Sequence, residues 1–100
     1  MYIAMNRFRI SSGREAEFEK TWRERDTYLD EVPGFRAFQL LRGPEEDGVT
    51  LFVSHSTWDT REAFEAWTRS EAFRKAHASA RSPEGVLQGH PRFEGYEVVL

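Results

Sequence analysis

The chain has no cysteine. That excludes disulfides, iron–sulfur clusters held by thiolates, thiolate-ligated haem and zinc ribbons, and it fits a reducing compartment. Long apolar runs are missing as well: none approaches the roughly 20 residues a membrane-spanning helix needs. No signal-peptide pattern opens the chain, so a cytoplasmic protein without a membrane anchor is expected. Lysine is scarce, two against twelve arginines, and acidic residues outnumber basic ones 17 to 14 for a net charge of −3. Nothing in that balance points to nucleic acid. The basic residues alternate with glutamates on the faces of predicted helices, as in ordinary solvated helices. There is no glycine-rich phosphate loop, no Ser–His–Asp order with a nucleophile elbow, and no carboxylate–histidine ligand set.

What is present is aromatic. One hundred residues make a single expected domain, 1–100, that buries only about 60–70% of the surface its unfolded chain exposes. Aromatic residues make up 14% of it. Such a load implies either a dense aromatic core or apolar surface that a partner subunit or a ligand covers. The densest stretch is Trp58 to His77, with Trp58, Trp67, Phe64, Phe73 and one histidine.

Alternation predicts a first strand over Tyr2 to Ile10, with Asn6 on the face of Tyr2, Ala4, Phe8 and Ile10. Ser12 to Glu15 reads as a capping box that starts a helix running to about Asp30. Its inward stripe is Ala16, Phe18, Trp22 and Leu29, interrupted by Arg25, and Pro33-Gly34 ends it. A second strand is expected over Phe35 to Arg42, with Phe38 and Leu40 on one face and Phe35, Ala37 and Leu41 on the other. Gly43 to Gly48 reads as a hairpin loop and Val49 to Trp58 as a third strand. Asp59 to Glu62 offers another capping box, for a helix over about Thr60 to Arg69. Ser70 is a good N-cap for a further helix over about Glu71 to Ala80, stopped before Pro83. Ser82 to Gly89 reads as a loop and Phe93 to Leu100 as the last strand.

The order β-α-β-β-α-β predicts an α+β, ferredoxin-like fold: an antiparallel sheet with helices on one side. The other side needs a cover. Phe38 and Leu40 are expected there, and a second sheet from an identical partner is the natural one, so a homodimer is predicted.

Three residues are candidates for chemistry. His77 lies one turn after Phe73 on a helix that also presents Ala76 and Ala80, small side chains that leave room for something flat. A neutral imidazole there suits haem iron; the plainer reading is a surface histidine near a helix C-terminus. Asn6 is an amide on an apolar strand face, which either bonds a neighbouring backbone group or donates to a bound oxygen. Trp67 is either core or a ring pressed against a ligand, and Trp58 reads as core. His55 and His90 have no spacing that makes a metal site. Glu62, Glu65 and Glu71 read as exposed helix residues.

Taken together, Trp58, Ala63-Phe64, Trp67, Ser70, Phe73 and Ala76-His77, with Asn6 in the first strand, resemble the haem-degrading monooxygenases of the IsdG type. These belong to the antibiotic-biosynthesis-monooxygenase (ABM) superfamily, and the resemblance covers nearly the whole chain. It implies a dimeric α+β barrel with one haem per subunit, which is both cofactor and substrate. It also implies that O2 is consumed with electrons from an external donor or reductase. His77 would be the axial ligand of the haem iron, Phe64 and Phe73 would line the haem, Trp67 would push the porphyrin out of plane, and Asn6 would hydrogen-bond the distal oxygen. No confident propionate clamp is legible; Arg74, Lys75 and Arg81 are the candidates. Two other functions fit the same residues: a cofactor-independent monooxygenase of the superfamily acting on a small aromatic or quinol-like substrate, and a non-catalytic haem-binding dimer.

Overall fold

A computed structural model describes residues 1–25, 28–78 and 83–100. Strands β1 (Tyr2–Ser11), β2 (Phe35–Glu46), β3 (Val49–Trp58) and β4 (Arg92–Glu97) form one antiparallel sheet in the order β2-β3-β1-β4. Helix α1 (Glu15–Glu24) links β1 to β2, and helices α2 (Arg61–Thr68) and α3 (Glu71–Ala78) lead from β3 towards β4. This is the predicted ferredoxin-like arrangement. Extents of 37 × 32 × 19 Å leave room for one helix layer on one sheet, so among the described residues one sheet face has no cover.

The covered face is the even one. On β1 it carries Tyr2, Ala4, Phe8 and Ile10, and on β3 Thr50, Phe52, Ser54, Ser56 and Trp58, all buried. Under α1, Phe18 is 1% exposed and meets Phe8 at 5.2 Å and Phe52 at 5.1 Å between ring centroids. Burying a phenylalanine in this way contributes about 1.5–3 kcal/mol. A second cluster gathers Tyr2, Ala4, Leu29 and Trp58, with Phe64 and Trp67 of α2 packed against it. Trp58 is fully buried, as expected of a core residue, and its indole N–H donates to Ser56 Oγ at 2.9 Å.

Several local expectations need correction. Phe38 and Leu40 face the helices, not the uncovered side: Phe38 stacks on Trp22 at 5.4 Å, and Leu40 packs against the Phe8 and Phe18 cluster. An irregularity between Phe35 and Ala37 breaks the alternation, so Phe35 also reaches the core, edge-on to Trp58. The uncovered face is instead Ile3, Met5, Leu51, Val53 and His55 with Leu41, as the cross-strand register fixes. The first helix is shorter than expected and ends at Glu24, because Arg25 is extended; a 3₁₀ turn follows at Leu29–Glu31, with Tyr28 before it at a φ of 57°. Ser12 does not cap it. The Ser12 N–H is used at the sheet end by Gly48, and Arg14 takes the cap position without a side-chain bond. Strand β2 runs four residues past Arg42, since Asp47 and Gly48 alone make the turn, both with positive φ, and Pro44 sits within a register shift of this edge strand. Strand β4 is regular only to Glu97, one further bond joining Val98 N–H to the Met1 carbonyl.

Other local signals hold. Thr60 caps α2, its hydroxyl accepting from Ala63 N–H at 3.1 Å; this is one residue later than the Asp59 cap expected, and Asp59 pairs with Arg36 instead. Ser70 caps α3, accepting from Phe73 N–H at 3.1 Å. Ala80, Arg81 and Ser82, expected at the end of that helix and in the loop after it, lie outside the described residues.

Candidate active site

Between the even face of the sheet and the helices lies a cavity of about 660 Å³. That is within the size of ordinary small-molecule sites. Strands supply its floor: Ala4, Asn6 and Phe8 from β1, Phe38 from β2, Ser54 and Ser56 from β3, and Phe93 from β4. One wall is α1 with Thr21, Trp22 and Arg25; the other is α2 and α3 with Phe64, Trp67, Thr68, Phe73 and His77. All five residues singled out in the sequence therefore line one space, although Asn6 is 71 positions from His77. Arg74 and Lys75 are exposed and do not line it.

His77 stands at the rim, exposed on one side. Its Nδ1 lies 2.9 Å from the Phe73 carbonyl oxygen one turn earlier. A carbonyl only accepts, so Nδ1 carries the proton and Nε2 keeps its lone pair. Histidines that bind metals are held in this way, with the second nitrogen donating to a backbone carbonyl. The ring also stacks on Phe73, with centroids 3.9 Å apart at 30°. Partial burial, the largest influence, pushes the imidazole below its ordinary pKa and outweighs the opposing Phe73 carbonyl, and the Arg25 cation adds a smaller push in the same direction as burial. The neutral, ligating form is favoured.

Trp67 lies between its neighbours like a fixed plate, edge-on to Phe73 at 4.8 Å, tilted against Trp58 at 5.4 Å, and 6.2 Å from His77. Its indole N–H is buried without a hydrogen-bond partner among the described residues. Phe64 stacks face to face on Phe93, 5.5 Å apart at 7°. Asn6 is half-buried on the floor, and its amide takes no partner among the described residues, so the backbone hydrogen bond that would have explained it away is not made.

Of the lining residues that the sequence reading did not name as site residues, Arg25 and Ser54 carry polar groups with no partner among the described residues. Arg25 had left a signal, since it interrupts the apolar stripe of its helix. Its guanidinium lies over the Trp22 ring at 4.4 Å, and its Nε is buried and unpaired among the described residues. Burial lowers its pKa; arginine nonetheless stays charged at neutral pH. Ser54 had left only its parity on β3. No group of three or more histidine or acidic side chains that would hold a free metal ion occurs among the described residues.

The fold and this cavity define a ferredoxin-like protein with an aromatic-walled pocket between sheet and helices, an imidazole at its rim and an amide on its floor. The antibiotic biosynthesis monooxygenase family profile matches residues 1–79, and the chain belongs to that family. It is 35% identical over 98 residues to a mycobilin-producing heme oxygenase of Mycobacterium tuberculosis, covering 98% of this chain and 89% of that one. It is 30% identical over 100 residues to a heme-degrading monooxygenase of Shouchella clausii, covering 99% and 92%. Among solved structures it resembles the heme-degrader MhuD of M. tuberculosis with two hemes bound in its active site, at a TM-score of 0.75 and 34% identity, covering 100% of this chain and 97% of that one. The cofactor-independent oxygenase SnoaB of Streptomyces nogalater shares the fold at a TM-score of 0.66 and 18% identity.

Proposed function

We propose that this chain is a haem-degrading monooxygenase that opens the porphyrin ring oxidatively and releases iron, haem being cofactor and substrate at once. The observation that carries the reading is one cavity holding an imidazole with a free Nε2 and, on the sheet side, an uncommitted amide. The residues present fit the group. An apolar space walled by Phe64, Trp67 and Phe73 accepts a flat ring, and the buried Arg25 Nε, unpaired among the described residues, calls for an anion such as a porphyrin carboxylate.

Haem supplies the iron at which O2 is activated and the ring carbon that is oxidised, with electrons from an external donor. His77 would bind the iron through Nε2, its tautomer set by Phe73. Trp67, braced by Trp58 and Phe73, would be the wall that presses on the porphyrin. The Asn6 amide N–H would orient oxygen from the floor of the cavity. Arg25 would neutralise a propionate in place of the exposed Arg74 and Lys75. A cytoplasmic setting goes with this reading, because the reaction draws on reducing equivalents.

The active form is a homodimer closed through the uncovered sheet face. Ile3, Met5, Leu51 and Val53 are only partly buried on that face and Leu41 is 42% exposed, a patch of the kind that a second copy covers.

Hemin titration tests the function. A Soret band saturating near one equivalent per chain, lost in His77→Ala, is expected. Ascorbate under air then bleaches the band and frees iron. A persistent band means binding without catalysis, and no band leaves the cofactor-independent monooxygenase. Asn6→Ala binds hemin as the parent does and degrades it about ten- to a hundredfold more slowly; equal loss of both contradicts its assigned role.

A further inference from the structure

Four side-chain hydroxyls line the cavity, those of Thr21, Ser54, Ser56 and Thr68. Three are already used. Thr21 donates to the Glu17 carbonyl at 3.0 Å and Thr68 to the Glu65 carbonyl at 2.7 Å. Ser56 donates to the Ala4 carbonyl at 3.3 Å and accepts from the Trp58 indole at 2.9 Å. Ser54 differs. As a residue it is only 7% exposed, and its hydroxyl, which has no hydrogen-bond partner among the described residues, opens onto the cavity. That difference from the other three asks for an explanation.

Its place supplies the explanation. Ser54 is the cross-strand partner of Asn6 on β3, while the partner of Asn6 on the other side, β4, is Phe93. Side chains directly opposite on one face of an antiparallel pair have Cβ atoms about 4.5–5.5 Å apart. The floor of the pocket therefore carries two adjacent polar groups, an amide and a hydroxyl, neither bonded to a described residue. Both are donors. Two donors at that spacing converge on one acceptor atom, whereas a serine needed for folding would bond the backbone, as Ser56 does.

We propose that Ser54 is a second hydrogen-bond donor of the active site, acting beside Asn6 on a small oxygen-containing ligand at the sheet side of the haem. The inference rests on the haem reading above. A hydroxyl also accepts, so Ser54 is able to pass a proton towards that ligand, which an amide does not do. Its contribution is to polarise the ligand and leave haem affinity, which His77 and the apolar walls set, unchanged.

The test compares wild type, Ser54→Ala and Ser54→Thr. Without hemin, Ser54→Ala melts at or above the wild-type temperature, because it removes a hydroxyl that bonds no described residue. With hemin, all three give the same Soret titration. In the reduced carbon monoxide complexes, Ser54→Ala raises the C–O stretching frequency and Ser54→Thr returns it towards wild type. At saturating hemin, degradation by Ser54→Ala slows about fivefold, the loss expected for one hydrogen bond. An unmoved C–O band beside a normal titration overturns this inference alone, as does a lower melting point with wild-type turnover, which marks a structural serine. No Soret band in the wild-type protein overturns the haem reading and this inference with it.

Discussion

His77 donates through Nδ1 to the carbonyl of Phe73, one helical turn back and 2.9 Å away, and stacks on the ring of the same residue. One residue thus fixes both the tautomer and the plane of the imidazole, leaving Nε2 as the atom available to a metal.

This contact has a consequence for pH. If His77 holds the iron as proposed, a proton would compete with it for Nε2, and hemin binding is expected to weaken as pH falls through the pKa of His77 in the folded protein. Burial lowers that pKa from its ordinary value of about 6.5. Affinity measured across pH 5 to 8 is therefore expected to hold through the ordinary histidine range and to fall only below it. A midpoint at or above 6.5 would show that Nε2 is not the competing site.

Arg25 gives a second prediction. Its buried Nε is unpaired among the described residues, and its cation lies over Trp22 inside the cavity. Arg25→Met keeps the apolar stem and removes the charge. Hemin affinity is expected to drop about tenfold, the scale of one charge-assisted hydrogen bond. Affinity for the porphyrin dimethyl ester, which has no carboxylates, should change little. Equal losses for both porphyrins would place the propionates elsewhere.

The start of β2 passes close against α2. A Cβ on Gly34 would stand 2.5 Å from the Ala63 Cβ, and the backbone there has a φ of 83°. Gly34→Ala is therefore strained twice, by contact and by conformation, and should cost about 2 kcal/mol or more. For a chain of this size that lowers the melting temperature by roughly 10 °C. Because α2 carries Trp67, hemin binding should weaken too. A wild-type melting curve would mean that helix and strand separate without cost.

The uncovered sheet face yields a prediction about assembly. Val53→Lys places a charge at its centre, away from the cavity, and the folded chain is expected to remain but as a monomer in analytical ultracentrifugation. A stable isologous contact buries on the order of 1,200–2,000 Å² in total, which one central lysine disrupts. A dimer unaffected by this change would have to form through another surface.

What the sequence by itself determined is local and periodic. Alternation placed Asn6 on the buried face of β1, the Trp67, Phe73 and His77 spacing set one side of the pocket, and Ser70 started α3 where expected. These features depend on neighbours within about four residues. Resemblance then joined Asn6 to the distant histidine, which periodicity alone could not do. Only the tertiary structure decided which face of β2 meets the helices, that Asp47 and Gly48 alone turn the hairpin, and that α1 stops before Arg25. It also decided that Ser54 stands across from Asn6 and that Arg25 turns into the cavity. A shift of one residue in strand pairing or a single irregularity reverses such facing, and register is settled by packing across the sheet rather than by the residues of any one strand.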